Sequence, residues 1–216
     1  KNACENVRIL PPEKQRRTLV TSYTHTVELG HAPLIIGERL NPTGKAMLKQ
    51  ALRENNMDYL CREAIAQADN GAHILDVNVG LPEIDEPAML CNAVTAIQSV
   101  SDLPLQLDTS NTEALAQALR IYNGRPLINS VNGGADSMAA VFPLAKKYGA
   151  AVVALTLDEN GIPDTAAGRI AIAEKILSVA KTYGLSEKDL VVDALAMTVS
   201  TGPDNANIAL ETLSYV

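Results

Sequence analysis

Asp and Asn recur in this chain where short apolar runs end, and their types and spacing invite a chemical reading. The residues are Glu38 and Asn41, Asp76 and Asn78, Asp108 and Asn111, Asn129 and Asn132, Asp158, and Asp193 followed by Ser200. Residues i and i+2 of an extended chain face the same side, so Asp76 and Asn78 are aimed together. A carboxylate or amide that is desolvated there must find a partner. Such an array of acceptors and amides suits a flat heterocycle with several N–H donors and ring acceptors. It suits a phosphate poorly, because carboxylates repel one. Cys4, Cys61 and Cys91 are widely separated, with no CxxC or Cys/His cluster. Neither a disulfide framework nor a metal site is therefore expected. No Ser-His-Asp or Cys-His grouping is visible.

Regular elements must position these groups. Apolar, β-branched runs at 34–40, 73–79, 103–109, 126–131, 150–157 and 190–197 alternate with helical patterns. The helical patterns are 46–70, 86–100, 112–122, 135–148, 165–183 and 205–214. Runs this continuously apolar read as strands of a buried parallel sheet. Gly71, Gly124, Gly149 and Gly184 each follow a helical pattern, as left-handed C-terminal caps do. Ser110 and Glu113 have capping-box spacing. Six βα units in a row imply right-handed crossovers. The first βα turn reads Asn41-Pro-Thr-Gly-Lys45 rather than GxGxxG, which favours a TIM (β/α)8 barrel over an open dinucleotide-binding sheet.

A full barrel takes about 250 residues and eight strands. The expected fold is therefore an α/β barrel truncated after about six βα units, its last two strands removed or supplied by another chain. Unclosed edges would invite pairing, so a homodimer is an expectation. Barrel chemistry sits at the carboxyl ends of the strands, where the polar residues gather. Residues 1–33 differ from the rest. Pro11, Pro12 and the polar run 13–17 read as linker, and 18–28 as an extended arm or short hairpin capping the barrel floor. The expected division is an arm over 1–33 and a barrel over 34–216. A start at Lys1 reads as an internal piece of something longer.

Hydrophobic residues make up 47% and charged residues 20%, a globular composition. A net charge of -7, no Trp and a single Phe argue against a nucleic-acid partner, which needs basic clusters and stacking platforms. No apolar run reaches the ~18 residues of a membrane span, and no signal peptide is visible. Reduced thiols in the cytoplasm are the expectation.

Five segments resemble the pterin-binding family: IIGERLNPTGK (35–45), GAHILDVNVG (71–80), LPLQLDTSN (103–111), LINSVNGG (127–134) and VVALTLDENGIP (152–163). That family includes dihydropteroate synthase, the methyltetrahydrofolate:corrinoid methyltransferases and the folate module of cobalamin-dependent methionine synthase. The stretch 21–45 resembles the connector that leads into that last module. The resemblance implies a cytoplasmic methyltransferase fragment of one-carbon metabolism, expected to be inactive by itself. It would bind 5-methyltetrahydrofolate and present the N5-methyl group to cob(I)alamin. The cobalamin would be held by a separate corrinoid-binding domain. A homocysteine-binding domain would lie upstream and hold the only zinc.

The resemblance also assigns roles. Asp76 and Asp158 would bond the aminopyrimidine edge of the pterin. Asn111 would contact the ring near its carbonyl and N5. Glu38, Asn78, Asp108 and Asn129 would line the pocket and orient those groups. Ser200 falls where the methyltransferases carry an Asn near N5, a departure that Asn205 or Asn207 could offset. Asn111, Asp76 and Ser200 are the expected catalytic set.

Each residue also has a structural reading. Asp76 and Asn78 could cap a strand end, Asn111 could cap a helix, Asp158 could sit in a solvated turn, and Glu38 could pair with Arg39. Met47 and Met57 read as core. Two other functions stay open: a dihydropteroate synthase-like enzyme, and a non-catalytic truncated barrel. The former typically carries an Asp-Ser-Phe-Ser-like run where this chain has NPTGK.

Overall fold

The computed structural model describes residues 17–216. Cys4, Pro11, Pro12 and the expected linker up to residue 16 lie outside the described residues. The described residues open with an antiparallel hairpin, β1 (Thr18–Thr21) and β2 (Thr26–Leu29). Six βα units follow. They are β3 (Ile36–Leu40) with α1 (Ala46–Arg53) and α2 (Met57–Asp69); β4 (Ile74–Val77) with α3 (Glu86–Val100); and β5 (Leu105–Asp108) with α4 (Thr112–Ile121). Then come β6 (Leu127–Val131) with α5 (Ala135–Tyr148); β7 (Ala151–Leu155) with α6 (Ala166–Thr182); and β8 (Leu190–Asp193) with α7 (Asn205–Tyr215). The sheet order is β3-β4-β5-β6-β7-β8, every neighbour parallel. A doubly wound sheet would reverse its order at a switch point. This order never reverses, and it is that of a (β/α)8 barrel carried through six units, with β3 and β8 as edges.

Strand alternation separates two environments. Leu75, Val77, Leu105, Leu107, Ile128 and Val152 face outward into the main core, which also takes Leu60, Leu90, Ile97, Phe142 and Ile176 from the helices. The other strand face forms the lumen. Its amino end is closed by a smaller cluster in which Val20 and Val27 of the hairpin pack on Ile74, Leu127 and Ala151. The hairpin is pinned there by Thr21 N to Arg125 O (2.8 Å) and Arg125 N to Thr21 O (3.0 Å). The Tyr122 hydroxyl donates to Thr21 O and accepts from Leu105 N, each at 2.9 Å. Gly124 permits the approach: a Cβ there would lie 2.3 Å from Thr21 O. Gly149 closes α5 in the left-handed conformation, φ 70°.

The observed structure departs from the sequence reading in four places. The pattern over 46–70 is two helices, because Asn55 turns left-handed at φ 51° and the Asn56 side chain accepts from Tyr59 N to start α2. Met47 on α1 is exposed rather than core. The cap of α4 is Asn111, whose Oδ1 accepts from the backbone N–H of Glu113 and Ala114; Ser110 does not fill that place. The run 190–197 is strand only to Asp193, whose Oδ1 accepts from Leu195 N as the chain turns away.

Candidate functional site

The lumen-facing side chains turn polar towards the carboxyl ends of the strands. Asp76 on β4 sits opposite Gln106 on β5, and Asp108 opposite Asn129 on β6. Gln106 Nε2 donates to Asp76 Oδ1 at 2.6 Å. Asp76 is 1% exposed and Gln106 6%. Their remaining acceptors, Asp76 Oδ2 and Gln106 Oε1, are buried without a partner. Ile36, Glu38 and Asn129 complete a cavity of about 220 Å³ around this pair. A second cavity of about 350 Å³ shares Ile36, Gln106 and Asn129, takes in Asp193 at the end of β8, and is otherwise walled by apolar side chains such as Val153, Val191 and Leu213. A polar niche thus opens onto an apolar wall, the arrangement expected for a ring held by one edge.

A second pair stands beside the first. Asn78 Nδ2 donates to Asp108 Oδ2 at 2.9 Å. Asp108 and Asn129 also line a cleft of about 390 Å³ with Ser110, Thr112, Asp136 and Ser137. Thr109 Oγ1 donates to Glu86 Oε1 and accepts from Asn111 N.

Burial dominates the electrostatics. It pushes the Asp76 carboxyl up to about 7, aided by repulsion from Asp108 and Glu38 and opposed by the amides of Gln106 and Asn129. Burial likewise raises Asp108, with Glu38 and Glu86 adding to it and the Asn78 amide opposing. Asp76 is therefore poised to hold or release a proton near neutrality.

The structure brings Glu38, Asp76 and Asn129 to one cavity, with Asn78 and Asp108 alongside. It does not bring the other expected residues there. Asn111 caps α4 with its Oδ1, leaving Nδ2 as the group that can face a ligand. Asp158 sits in a tight turn bridged to Gly161, its Oδ1 accepting from Asn160 N, and it lines separate clefts with Asn132 and Glu159 or with Ile162 and Pro163. Asp76, Asn111 and Asp158 thus share no cavity. Ser200 lies on an exposed loop with its Oγ donating to Thr198 Oγ1. The Asn205 amide is spent on Thr198 O and Thr201 Oγ1. Arg39 pairs with Glu63 at 3.6 Å, while Glu38 accepts from Asn41.

Two residues escaped the sequence reading. Gln106 was hidden inside an apolar run, and only strand alternation with Asp108 could have flagged it. Arg169 on α6 is 2% exposed and donates to Pro163 O, Ala194 O and Leu195 O at 2.7–3.0 Å. It ties the loop after β7 to the loop after β8.

Among the described residues no group of three or more His, Cys, Asp or Glu side chains is arranged to hold a metal ion. His73 accepts from Ile35 N at the amino end of the barrel, and His31 bonds Glu28. His73 thus stands at the end of the barrel opposite the polar niche. No described helix is long and apolar enough to cross a membrane.

A family model described as pterin binding enzyme matches residues 37–215. The chain is 33% identical over 179 residues to the methionine synthase of Mycobacterium tuberculosis and 30% identical to that of Mycobacterium leprae. Each match covers 80% of this chain and 15% of the relative, so the chain spans about one seventh of their length. Among solved structures it is similar to the dihydropteroate synthase of Xanthomonas albilineans, with a TM-score of 0.66 at 16% identity over 92% of this chain and 72% of that one. It is also similar to that of Yersinia pestis, with 0.65 at 19% over 91% and 71%. At such identities these two bear on the fold alone. The matched span takes in the six βα units from the second residue of β3 onward and every polar residue of the niche, and by that match the chain belongs to the family of pterin-binding enzymes.

Proposed function

We propose that the chain binds 5-methyltetrahydrofolate and presents its N5-methyl group to cob(I)alamin, the first half of methionine synthesis from homocysteine. The observation that carries this reading is the buried Asp76–Gln106 pair, which lines a cavity that opens onto an apolar wall and keeps two acceptors without a partner. A tetrahydropterin edge offers N–H donors to such a pair, and its flat body suits the wall of Val153 and Val191. The resemblance to methionine synthases supports methyl transfer over other pterin chemistry.

The methyl acceptor is a second substrate, brought by a separate domain, and it supplies the nucleophile. The chain's own task is to hold the folate with its methyl at the open mouth, where orientation counts for most of the gain. A tertiary amine leaves poorly unless its nitrogen is protonated or strongly hydrogen-bonded, assistance worth roughly 10²–10⁴-fold. With Oδ1 of Asn111 spent on capping, its Nδ2 is the donor we assign to the N5 side. Asp76 grips the ring edge, accepting through Oδ2 when ionised, and exchanges its proton near neutral pH. Asp108, positioned by Asn78, and Glu38 shape the rim. We assign no step to Ser200. The free thiols of Cys61 and Cys91 fit a cytoplasmic setting.

Calorimetric titration with 5-methyltetrahydrofolate tests the binding, and loss of methyl from the folate on addition of cob(I)alamin tests the transfer. Saturable binding that Asp76→Ala abolishes is expected. Absence of binding by the wild-type chain overturns the reading.

A further inference from the structure

Gln106 lies where the two lumen cavities meet, and the family resemblance gives it no role. Its Nε2 is committed to Asp76 Oδ1 at 2.6 Å. That bond fixes which way the amide points, since the reversed amide would set Oε1 against a carboxylate oxygen. Gln106 Oε1 is therefore presented as an acceptor, buried and without a partner, beside the equally unpartnered Asp76 Oδ2. Buried acceptors left unmade are costly, and a protein keeps them where a ligand completes them. No Lys, Arg or His lines the cavity that could supply the missing donors. The Asn129 amide also lines it and acts on Asp76, so it is Gln106 Oε1 that is left to a donor from outside.

We infer that Gln106 is a specificity-determining residue that, with Asp76, reads a ring edge carrying two N–H donors and so selects a 2-amino-pyrimidinone over the same ring bearing a 2-oxo group. The inference rests on the reading of the cavity as a pterin site. An exocyclic amine at the 2-position meets Gln106 Oε1 as a donor. A carbonyl there meets it as a second acceptor, and the amide cannot turn to accommodate it while Asp76 is ionised. Discrimination of this kind exceeds what an apolar wall achieves, because the wrong ligand leaves buried polar groups unpaired.

The test is calorimetric titration at pH 8 with pterin and with lumazine, its 2,4-dioxo counterpart, on the wild-type chain and on Gln106→Met. Met matches Gln in length and shape but cannot accept from an amine, and its thermal midpoint checks that the variant folds. The wild type is expected to favour pterin at least tenfold. In Gln106→Met the pterin affinity falls about tenfold and that for lumazine is unchanged or improved, so the preference collapses towards one. A variant that keeps the wild-type preference overturns the role of Gln106 and leaves the pterin site standing. Equal affinity of the wild type for the two probes overturns it without recourse to any variant. Binding of neither probe removes the site reading itself.

Discussion

Asn78 Nδ2 donates to Asp108 Oδ2 at 2.9 Å while Asn78 Oδ1 accepts from Gly80 N at the same distance, so both ends of the Asn78 amide are committed within the protein. Asn78 therefore acts on a ligand only through Asp108, whose carboxylate it holds at the cavity rim. Replacing Asn78 by Leu strips a half-buried carboxylate of its donor and is expected to cost about 1–3 kcal/mol of stability. It should also drive the Asp108 carboxyl further up, because the one amide opposing its burial is gone. Urea denaturation and a carboxyl-resolved NMR titration would read the two effects; an unmoved Asp108 titration would refute the assignment.

Asp76 makes the protein's stability depend on pH in the direction opposite to ordinary acid unfolding. Its folded value of about 7 stands above the ordinary 3.8 of an unfolded Asp. Between these values the native state binds the extra proton, so this group's contribution is fully present below pH 3.8 and is lost as pH rises through 7. Repulsion from Glu38 and Asp108 adds to the cost of ionisation there. Asp76→Asn is expected to gain on the order of 3 kcal/mol at pH 8 and almost nothing at pH 4. Thermal midpoints of both proteins across that range would decide it; parallel curves would mean that Asp76 ionises normally.

Arg169 is a buried cation that bonds backbone carbonyls of Pro163, Ala194 and Leu195. Removing it leaves one buried and two half-buried carbonyls without their donor. Arg169→Met is expected to lose about 3 kcal/mol, and Arg169→Lys most of that, since an ammonium cannot span the fork. The urea midpoint should fall with the m-value unchanged. A Lys variant as stable as the wild type would show that charge, rather than the fork, fixes the two loops.

Asn111 invites a separation of two roles. Asn111→Ala loses the α4 cap and about 1 kcal/mol. Asn111→Asp keeps the capping oxygen and the helix but lacks the Nδ2 donor. If that donor serves the ligand, the Asp variant will be stable yet bind 5-methyltetrahydrofolate at least tenfold more weakly. Undiminished affinity would reduce Asn111 to a helix cap.

The barrel order was legible because buried parallel strands read as apolar runs of the right length, and because Gly149 punctuates a helix end plainly. The break in 46–70 was not, since no Gly or Pro marks it and Asn55 adopts its left-handed turn only in context. The niche was half legible. The rule that barrel chemistry sits at strand ends points to Asp76, Asp108 and Asn129, but Gln106 lies one inward position before Asp108, between Leu105 and Leu107. Asp158 carries the same side chain as Asp76 and a different fate: beside Asn160 and Gly161 it closes a turn, which spacing alone could not decide.

The hairpin over Thr18–Thr21 and Thr26–Leu29 has consequences for the order in which the chain matures. Its bonds run to residues 80 to 104 positions downstream, at Asp102, Tyr122 and Arg125. A two-stranded ribbon is marginal in water by itself, so the earliest described segment waits for β5 and β6 before it can dock. Such distant closures come late. Pulse-labelled hydrogen exchange during refolding should find the Val20 and Val27 amides protected after those of Leu105 and Leu107, making this hairpin one of the last elements to settle although it precedes every strand of the barrel.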